Sequence, residues 1–276
     1  MNQRHAHRPG PSLSLVVPVF DEEHRVAERV PELLDFAADS PPGSELIVVD
    51  DGSTDATAQV VTRLLAGRPD VPARLLRRPH AGKGAAVAAG LAEATADYAG
   101  FCDVDLSTPL ADLERVVNVA RQGTVLAIGS RDVEAARLLQ PESRMRELLG
   151  RTYNRLVRLT LTPGIRDTQC GAKVAHRALW RAILPWCREQ GFAWDVEALA
   201  VACRLGIAVT EVPVNWSHDE RSRVRVGRDG IAMALAVPRI ARHLQDVPAA
   251  RPMPAPVPAR PVAGLVPLRV VDGRSR

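Results

Sequence analysis

Lys83 and Lys173 are the two lysines of a chain whose other 34 basic residues are arginine. Where arginine is the default cation, a position that keeps lysine can call for a compact point charge. Lys83 lies in His80-Ala81-Gly82-Lys83-Gly84, ahead of an Ala-rich segment that reads as a helix. Such a loop can bring backbone N–H groups and a helix N-terminus to a phosphate, or be a plain flexible connection. Asp103-Val104-Asp105 offers a second chemistry. At i and i+2 of extended chain the two carboxylates share a side, as hard oxygen ligands for Mg²⁺ or Mn²⁺ with diphosphate oxygens completing the shell. A calcium-loop reading of Asp103, Asp105, Ser107 and Glu114 fails on Thr108, where glycine is needed.

Asp50-Asp51-Gly52-Ser53-Thr54-Asp55 offers a third. Its acids can accept hydrogen bonds from a base imide or a ribose hydroxyl, or close a turn and cap the next helix. Arg131 ends a strand-like run, so it points to the same crevice or into solvent. Asp195, in Phe192-Ala193-Trp194-Asp195-Val196-Glu197, is a candidate catalytic or sugar-binding carboxylate; its aromatic neighbours can stack on a sugar or fill a core. Arg144, Arg151, Arg155 and Arg158 form one stripe of a long amphipathic helix, beside Met145, Leu148, Leu149, Leu156 and Leu159. That helix can lie on an anionic membrane or simply pack with a solvated arginine face. Trp216 and Arg221, Arg223, Arg225 and Arg228 form a phosphate clamp or a mobile loop.

The elements that must hold these residues alternate. Apolar β-branched runs at Leu13–Val19, Glu45–Asp50, Arg74–Arg77, Tyr98–Cys102 and Val125–Gly129 read as strands. Between them Glu22–Ala38, Thr54–Gly67, Gly84–Thr95 and Pro109–Gln122 read as helices; Pro31 threatens the first, and Ser53 or Thr54 caps the second. This alternation predicts βαβ units, an α/β fold with a mostly parallel central sheet flanked by helices. Ligands of such sheets bind outside the carboxyl ends of the strands, where the motifs above fall. The second half reads as a helix at Glu142–Leu161, a short strand at Cys170–Ala175, helices at His176–Cys187 and Trp194–Leu205, a strand at Ala208–Trp216, and a last helix at Gly230–Leu244 interrupted by Pro238.

Composition bounds the rest. The 276 residues are 46% apolar and 25% charged, which excludes a collagen, a disulfide scaffold and a wholly disordered chain. The net charge of +4 belongs to residues 247–276, with five arginines against one acid, so the body is neutral and is not expected to bind nucleic acid. No two of the four cysteines have C-x-x-C spacing, and no apolar run approaches the ~20 residues of a bilayer span. A cytoplasmic protein is expected, with a disordered N-terminus over 1–11, one domain over 12–246 and a disordered Pro/Arg-rich tail over 247–276.

The order of the motifs is more telling than any one of them. Val-Pro-Val-Phe-Asp-Glu-Glu, Asp-Asp-Gly-Ser-Thr-Asp, Gly-Lys-Gly, then Asp-x-Asp with Ser-Thr-Pro resembles the family 2 glycosyltransferases of the GT-A fold. Asp167-Thr168-Gln169-Cys170-Gly171-Ala172-Lys173, Phe192–Glu197 and Val212-Pro213-Val214-Asn215-Trp216 are similar to the dolichyl-phosphate β-glucosyltransferase branch, over about residues 12–245. The resemblance implies a Rossmann-like domain with a nucleotide-sugar half at 12–131 and an acceptor half at 132–246. It implies inverting transfer of a hexose, glucose from UDP-glucose or mannose from GDP-mannose, to a polyprenyl phosphate or a soluble acceptor. A catalytically silent nucleotide-binding module is the reading from another class.

By the same resemblance Pro18, Val19, Glu22, Asp50 and Asp51 line the base and ribose pocket, and Asp103 and Asp105 hold Mg²⁺ or Mn²⁺ with the diphosphate. Lys83 and Arg131 lie along phosphates, Gln169 and Lys173 near the point of transfer, with Asp195 beside them; Arg221 and Arg223 join Arg131 on the acceptor phosphate. Phe20-Asp21 departs from the Tyr-Asn common in the family. Membrane access is expected to be peripheral, on the inner face of the cell membrane, or through a partner.

Overall fold

The computed structural model describes residues 10–133, 137–140, 144–217, 226–250 and 270–271. The expected disordered ends (except Gly10, Pro11, 247–250 and 270–271) and Arg221, Arg223 and Arg225 lie outside them. The first half follows the predicted alternation: β1 (Leu13–Val19), α1 (Glu23–Ala38), β2 (Glu45–Asp50), α2 (Thr57–Ala66), β3 (Ala73–Arg77), α3 (Lys83–Ala92), β4 (Tyr98–Phe101), α4 (Leu110–Gln122) and β5 (Val125–Ser130). Then come β6 (Arg137–Gln140), α5 (Arg144–Thr160), β7 (Lys173–His176), α6 (Arg177–Ile183), α7 (Trp194–Arg204), β8 (Ala208–Pro213), β9 (Asn215–Ser217), α8 (Val226–His243) and β10 (Val270–Val271).

The main sheet has the order β10-β8-β5-β7-β4-β1-β2-β3. β3, β2, β1 and β4 run parallel, as do β5 and β8; β7 is antiparallel to both neighbours, and β10 to β8. Both faces are covered, which explains the unbroken apolar strands. Leu13, Leu15, Val17 and Val19 pack toward α1 and α4, and Val16 toward α3 and α7. The chain leaves β1 toward β2 and β3, then crosses to β4 on the other side. The switch point, where ligands bind in such sheets, therefore lies at the carboxyl ends of β1 and β4.

The antiparallel strand decides where Lys173 stands. β7 begins where β4 and β5 end: Lys173 is level with Phe101 on one side and Ile128 on the other. A residue that starts β7 thus joins the carboxyl-end crevice.

Several expectations are corrected. α1 runs through Pro31 and α8 through Pro238. In α1 the stripe Val26, Val30, Leu33 and Leu34 is buried, and in α8 Ala236, Val237 and Ile240, so packing outweighs the hydrogen bond each proline removes. α2 starts at Thr57 rather than Thr54, because Ser53 and Thr54 are bonded to the loop after β1 while Asp55 accepts from the Thr57 N–H. The strand expected at 208–216 divides at Val214, and β9 leaves the main sheet to pair with β6. The helix expected over 176–187 ends at Ile183, followed by one 3₁₀ turn over Leu184–Trp186.

Candidate active site

Asp51 is 2% exposed at the carboxyl end of β2. Its Oδ2 accepts from the Gly82 N–H at 2.7 Å and its Oδ1 from the Ala81 N–H at 3.2 Å. His80 Nδ1 lies 2.8 Å away and Arg78 Nε 3.5 Å. The loop before α3 therefore already holds an anion, the protein's own carboxylate, and its amides at 81 and 82 are not the phosphate cradle the glycines suggested. Gly82 is needed for shape: its φ is 120°, and a Cβ would lie 2.7 Å from the Gln190 carbonyl oxygen. Asp50 is fully buried, accepting from the Ser53 N–H at 3.0 Å and pairing with Arg77 at 3.4 Å.

Pro18 and Val19 are buried in β1, and the Glu22 carboxylate pairs with Arg25. Asp21 accepts from the Thr54 N–H at 2.7 Å, which ties the loops after β1 and β2 together. Phe20 stacks on His80 with centroids 4.1 Å apart and planes 22° apart. His80 was missed by the sequence reading; its one signal was its place just ahead of Gly-Lys-Gly.

On the far side of the switch point stands Asp103. Its Oδ1 is 2.7 Å from Lys83 Nζ. Lys83 also lies 3.8 Å from Asp195 Oδ2, and Lys173 Nζ is 2.6 Å from Asp195 Oδ1. The two lysines of the chain thus converge on one buried carboxylate. Lys173 is 0% exposed and also donates to the Cys170 carbonyl at 2.7 Å. Burial opposes the charge on Lys83, but Asp103 and Asp195 outweigh it and push its pKa above the usual lysine range.

Asp105 accepts from the Ser107 N–H at 2.8 Å. Burial, and then repulsion from Asp103, raise its carboxyl above the usual range. Two carboxylates that repel each other in a partly closed crevice suit a divalent cation, which would remove the repulsion. Gly171 keeps the space: a Cβ there would overlap the Asp103 carboxylate. Among the described residues no third acidic, His or Cys side chain joins the pair in a metal cluster.

Asp21 (φ 50°) and Leu106 (φ 51°) are the non-glycine residues at positive φ among those described. One follows β1 and the other β4, on the two sides of the switch point. Each costs about 1–3 kcal/mol, and such strain concentrates at functional sites.

Arg131 follows β5. Its Nε and Nη2 meet Asp167 at 2.7 and 3.1 Å, and its guanidinium lies 5.1 Å from the Trp216 ring centroid. Asp167 is fully buried and also accepts from the Gln169 and Cys170 N–H groups. Burial would raise its carboxyl, but Arg131 holds it below the usual range. Gln169 keeps a buried side-chain N–H₂ without a hydrogen-bond partner, an atom suited to a ligand oxygen.

The fold and this crevice are those of a glycosyltransferase. Residues 14–184, more than half of the chain, match the family described as glycosyl transferase family 2, and the chain belongs to that family. A dolichyl-phosphate beta-glucosyltransferase of Dictyostelium discoideum is 31% identical over 240 residues, 83% of this chain and 73% of that one. A protein of the same name from Drosophila melanogaster is 31% identical, over 80% of this chain and 74% of its own. The UDP complex of glucosyl-3-phosphoglycerate synthase from Mycobacterium tuberculosis has a TM-score of 0.60 at 25% identity, over 88% of this chain and 87% of that one. Its complex with Mn²⁺, UDP and phosphoglyceric acid, at 23% identity and TM-score 0.61, shares the fold.

Proposed function

We propose that this glycosyltransferase moves glucose from UDP-glucose to a polyprenyl phosphate, inverting the anomeric carbon. One observation carries the reading: Asp195 is buried between the two lysines, with Oδ1 accepting from Lys173 at 2.6 Å and Oδ2 3.8 Å from the Lys83 ammonium. A hydroxyl acceptor needs a general base, whereas a phosphate monoester, with a second pKa near ~6, is already an anion at neutral pH. The relatives named dolichyl-phosphate beta-glucosyltransferase, about 30% identical over four-fifths of the chain, support the same acceptor and sugar.

In this reading an acceptor phosphate oxygen bonds to the anomeric carbon from the face opposite the leaving group. The bond from that carbon to the diphosphate oxygen breaks, and its electron pair departs with UDP. No proton need leave the acceptor. Asp103 and Asp105 would hold Mg²⁺ or Mn²⁺, which supplies charge neutralisation to the diphosphate when bound. Lys83 adds its ammonium along the diphosphate. Pro18, Val19, Glu22, Asp50 and Asp51 shape the nucleotide side, with Phe20 and His80 as its aromatic wall. Arg131, fixed by Asp167, faces the acceptor phosphate, and Gln169 offers its amide to the transferred group. Lys173 and Asp195 are positioning residues, since Lys173 is sealed from any substrate.

A soluble phosphorylated acid is the second acceptor reading, favoured by the 25% identity to glucosyl-3-phosphoglycerate synthase; GDP-mannose is the second donor. Purified protein with Mn²⁺ or Mg²⁺ would receive labelled UDP-glucose or GDP-mannose, with polyprenyl phosphate or 3-phosphoglycerate. The proposal expects label in the organic phase with UDP-glucose and the lipid alone. Label confined to the aqueous phase, with the lipid shown to be dispersed, would move the soluble acceptor to first place.

A further inference from the structure

The large apolar side chains left exposed among the described residues are four: Leu156 (42%), Leu159 (76%), Ile231 (64%) and Leu235 (59%). All four stand on two helices, α5 and α8. These pack together through one cluster, with Val157 of α5 and Ala236, Val237 and Ile240 of α8 buried against Val196 and Ala200 of α7. At about 100° per residue, Leu159 on α5 and Ile231 and Leu235 on α8 point away from that cluster, and Leu156 lies at its flank. Each helix therefore turns an apolar outer face away from the cluster that joins them. Apolar side chains gathered on one surface mark an interaction site.

The charge on that surface has one sign. Arg155 and Arg158 flank the leucines of α5, and Arg228 and Arg242 the apolar pair of α8, all four exposed. Among the side chains described on the two helices, Asp229 is the one acid, and it is half-buried. A symmetric contact between two copies would set arginine against arginine. The tail over 247–276, with five arginines and one acid, carries the same sign and is no better matched. Aliphatic side chains ringed by arginines match an anionic lipid surface, where the apolar groups enter the acyl boundary and the guanidinium groups meet phosphates.

The position relative to the crevice gives the surface a use. The inner side of α5 carries Tyr153, whose hydroxyl is buried and which burial and the Asp195 carboxylate together push above the usual tyrosine range. Asn154 Oδ1 accepts from Thr168 Oγ1 at 3.1 Å, which ties α5 to the loop of Asp167 and Gln169. One helix thickness, about 10 Å, thus separates the outer face from the site.

We infer that the outer face of α5 and α8 is the surface by which this chain docks on an anionic membrane, setting its crevice at the depth of a lipid headgroup. The inference rests on the lipid-acceptor reading, and its binding readout needs no sugar donor. The full-length protein would be sedimented with pure phosphatidylcholine vesicles and with mixed phosphatidylcholine–phosphatidylglycerol vesicles. It is expected to bind the anionic vesicles and leave the neutral ones. Arg155→Gln with Arg158→Gln should weaken binding about 25-fold, at roughly fivefold per charge removed. Leu159→Asp with Ile231→Asp should weaken it more than about tenfold. Both double variants should keep wild-type melting temperature and wild-type metal-dependent donor hydrolysis without vesicles.

Equal vesicle binding by wild type and variants would overturn the inference, as would no binding by the wild type. So would self-association that Leu159→Asp abolishes without any vesicle binding, which would give the face to a second copy. Vesicle binding as expected with no transfer to polyprenyl phosphate would leave the surface standing and overturn the acceptor reading. Transfer to detergent-dispersed lipid without vesicle binding would do the reverse.

Discussion

Two buried carboxylates on either side of the switch point are satisfied by opposite means. Asp51, at the end of β2, rests on the backbone N–H groups of Ala81 and Gly82, with His80 and Arg78 beside it. Asp195, on α7, rests on ammonium groups, Lys173 donating to its Oδ1 and Lys83 lying 3.8 Å from its Oδ2. Backbone donors are not lost when a side chain is changed, provided the loop keeps the glycine its shape requires at 82. Ammonium groups can be removed, and a buried charge that loses its partner is expensive. The loop before α3 is therefore held by its own backbone, and the seating of Asp195 depends on two particular lysines.

The largest expected effect falls where neither device helps. Asp105→Asn takes a ligand oxygen from the proposed metal pair, and metal-dependent turnover should fall at least ~100-fold with the melting temperature unchanged. Turnover within threefold of wild type would remove Asp105 from the metal. Next comes the lysine pair. Lys173→Met leaves Asp195 with Lys83 alone, and chemical denaturation should show a loss of about 3 kcal/mol. His80→Ala is its counterpart: Asp51 keeps both amides and Arg78, so stability should change by less than about 1 kcal/mol while the donor KM rises. Equal losses in the two variants would break the comparison.

A smaller effect is read in acid. Arg131 depresses the Asp167 carboxyl below its unfolded value, so the pair stabilises the fold above about pH 4. That contribution is lost as pH falls through the depressed folded value. Melting temperatures of wild type and Arg131→Gln, followed from pH 7 to pH 3, should therefore converge in acid. A constant gap would mean that the pair contributes nothing through ionisation.

Much of this was legible before any coordinates. Parallel strands covered on both faces must be apolar runs, and Leu13–Val19 and Glu45–Asp50 announced themselves with boundaries that held. The two lysines stood out by rarity, and Asp103-x-Asp105 by spacing. What was hidden depends on topology. Lys173 reaches Asp195 because β7 runs antiparallel between β4 and β5, and no local pattern states the direction of a four-residue strand. The stacking of Phe20 on His80 joins loops 60 residues apart. Pro31 and Pro238 misled because a local rule was outweighed by buried stripes on the same helices. Asp55 was passed over as a cap because Ser53 and Thr54 lie earlier, and their bonds to the β1 loop became visible only in three dimensions.

The central claim is that the acceptor is already an anion, so that Asp195 positions and does not deprotonate. The pH dependence of kcat/KM for glucose transfer to polyprenyl phosphate tests it most directly. The account predicts a rise through the second phosphate ionisation near ~6 and a plateau above it. A rate that keeps climbing with hydroxide concentration up to about pH 9 would mean that a proton must leave the acceptor in the reaction, and would contradict it.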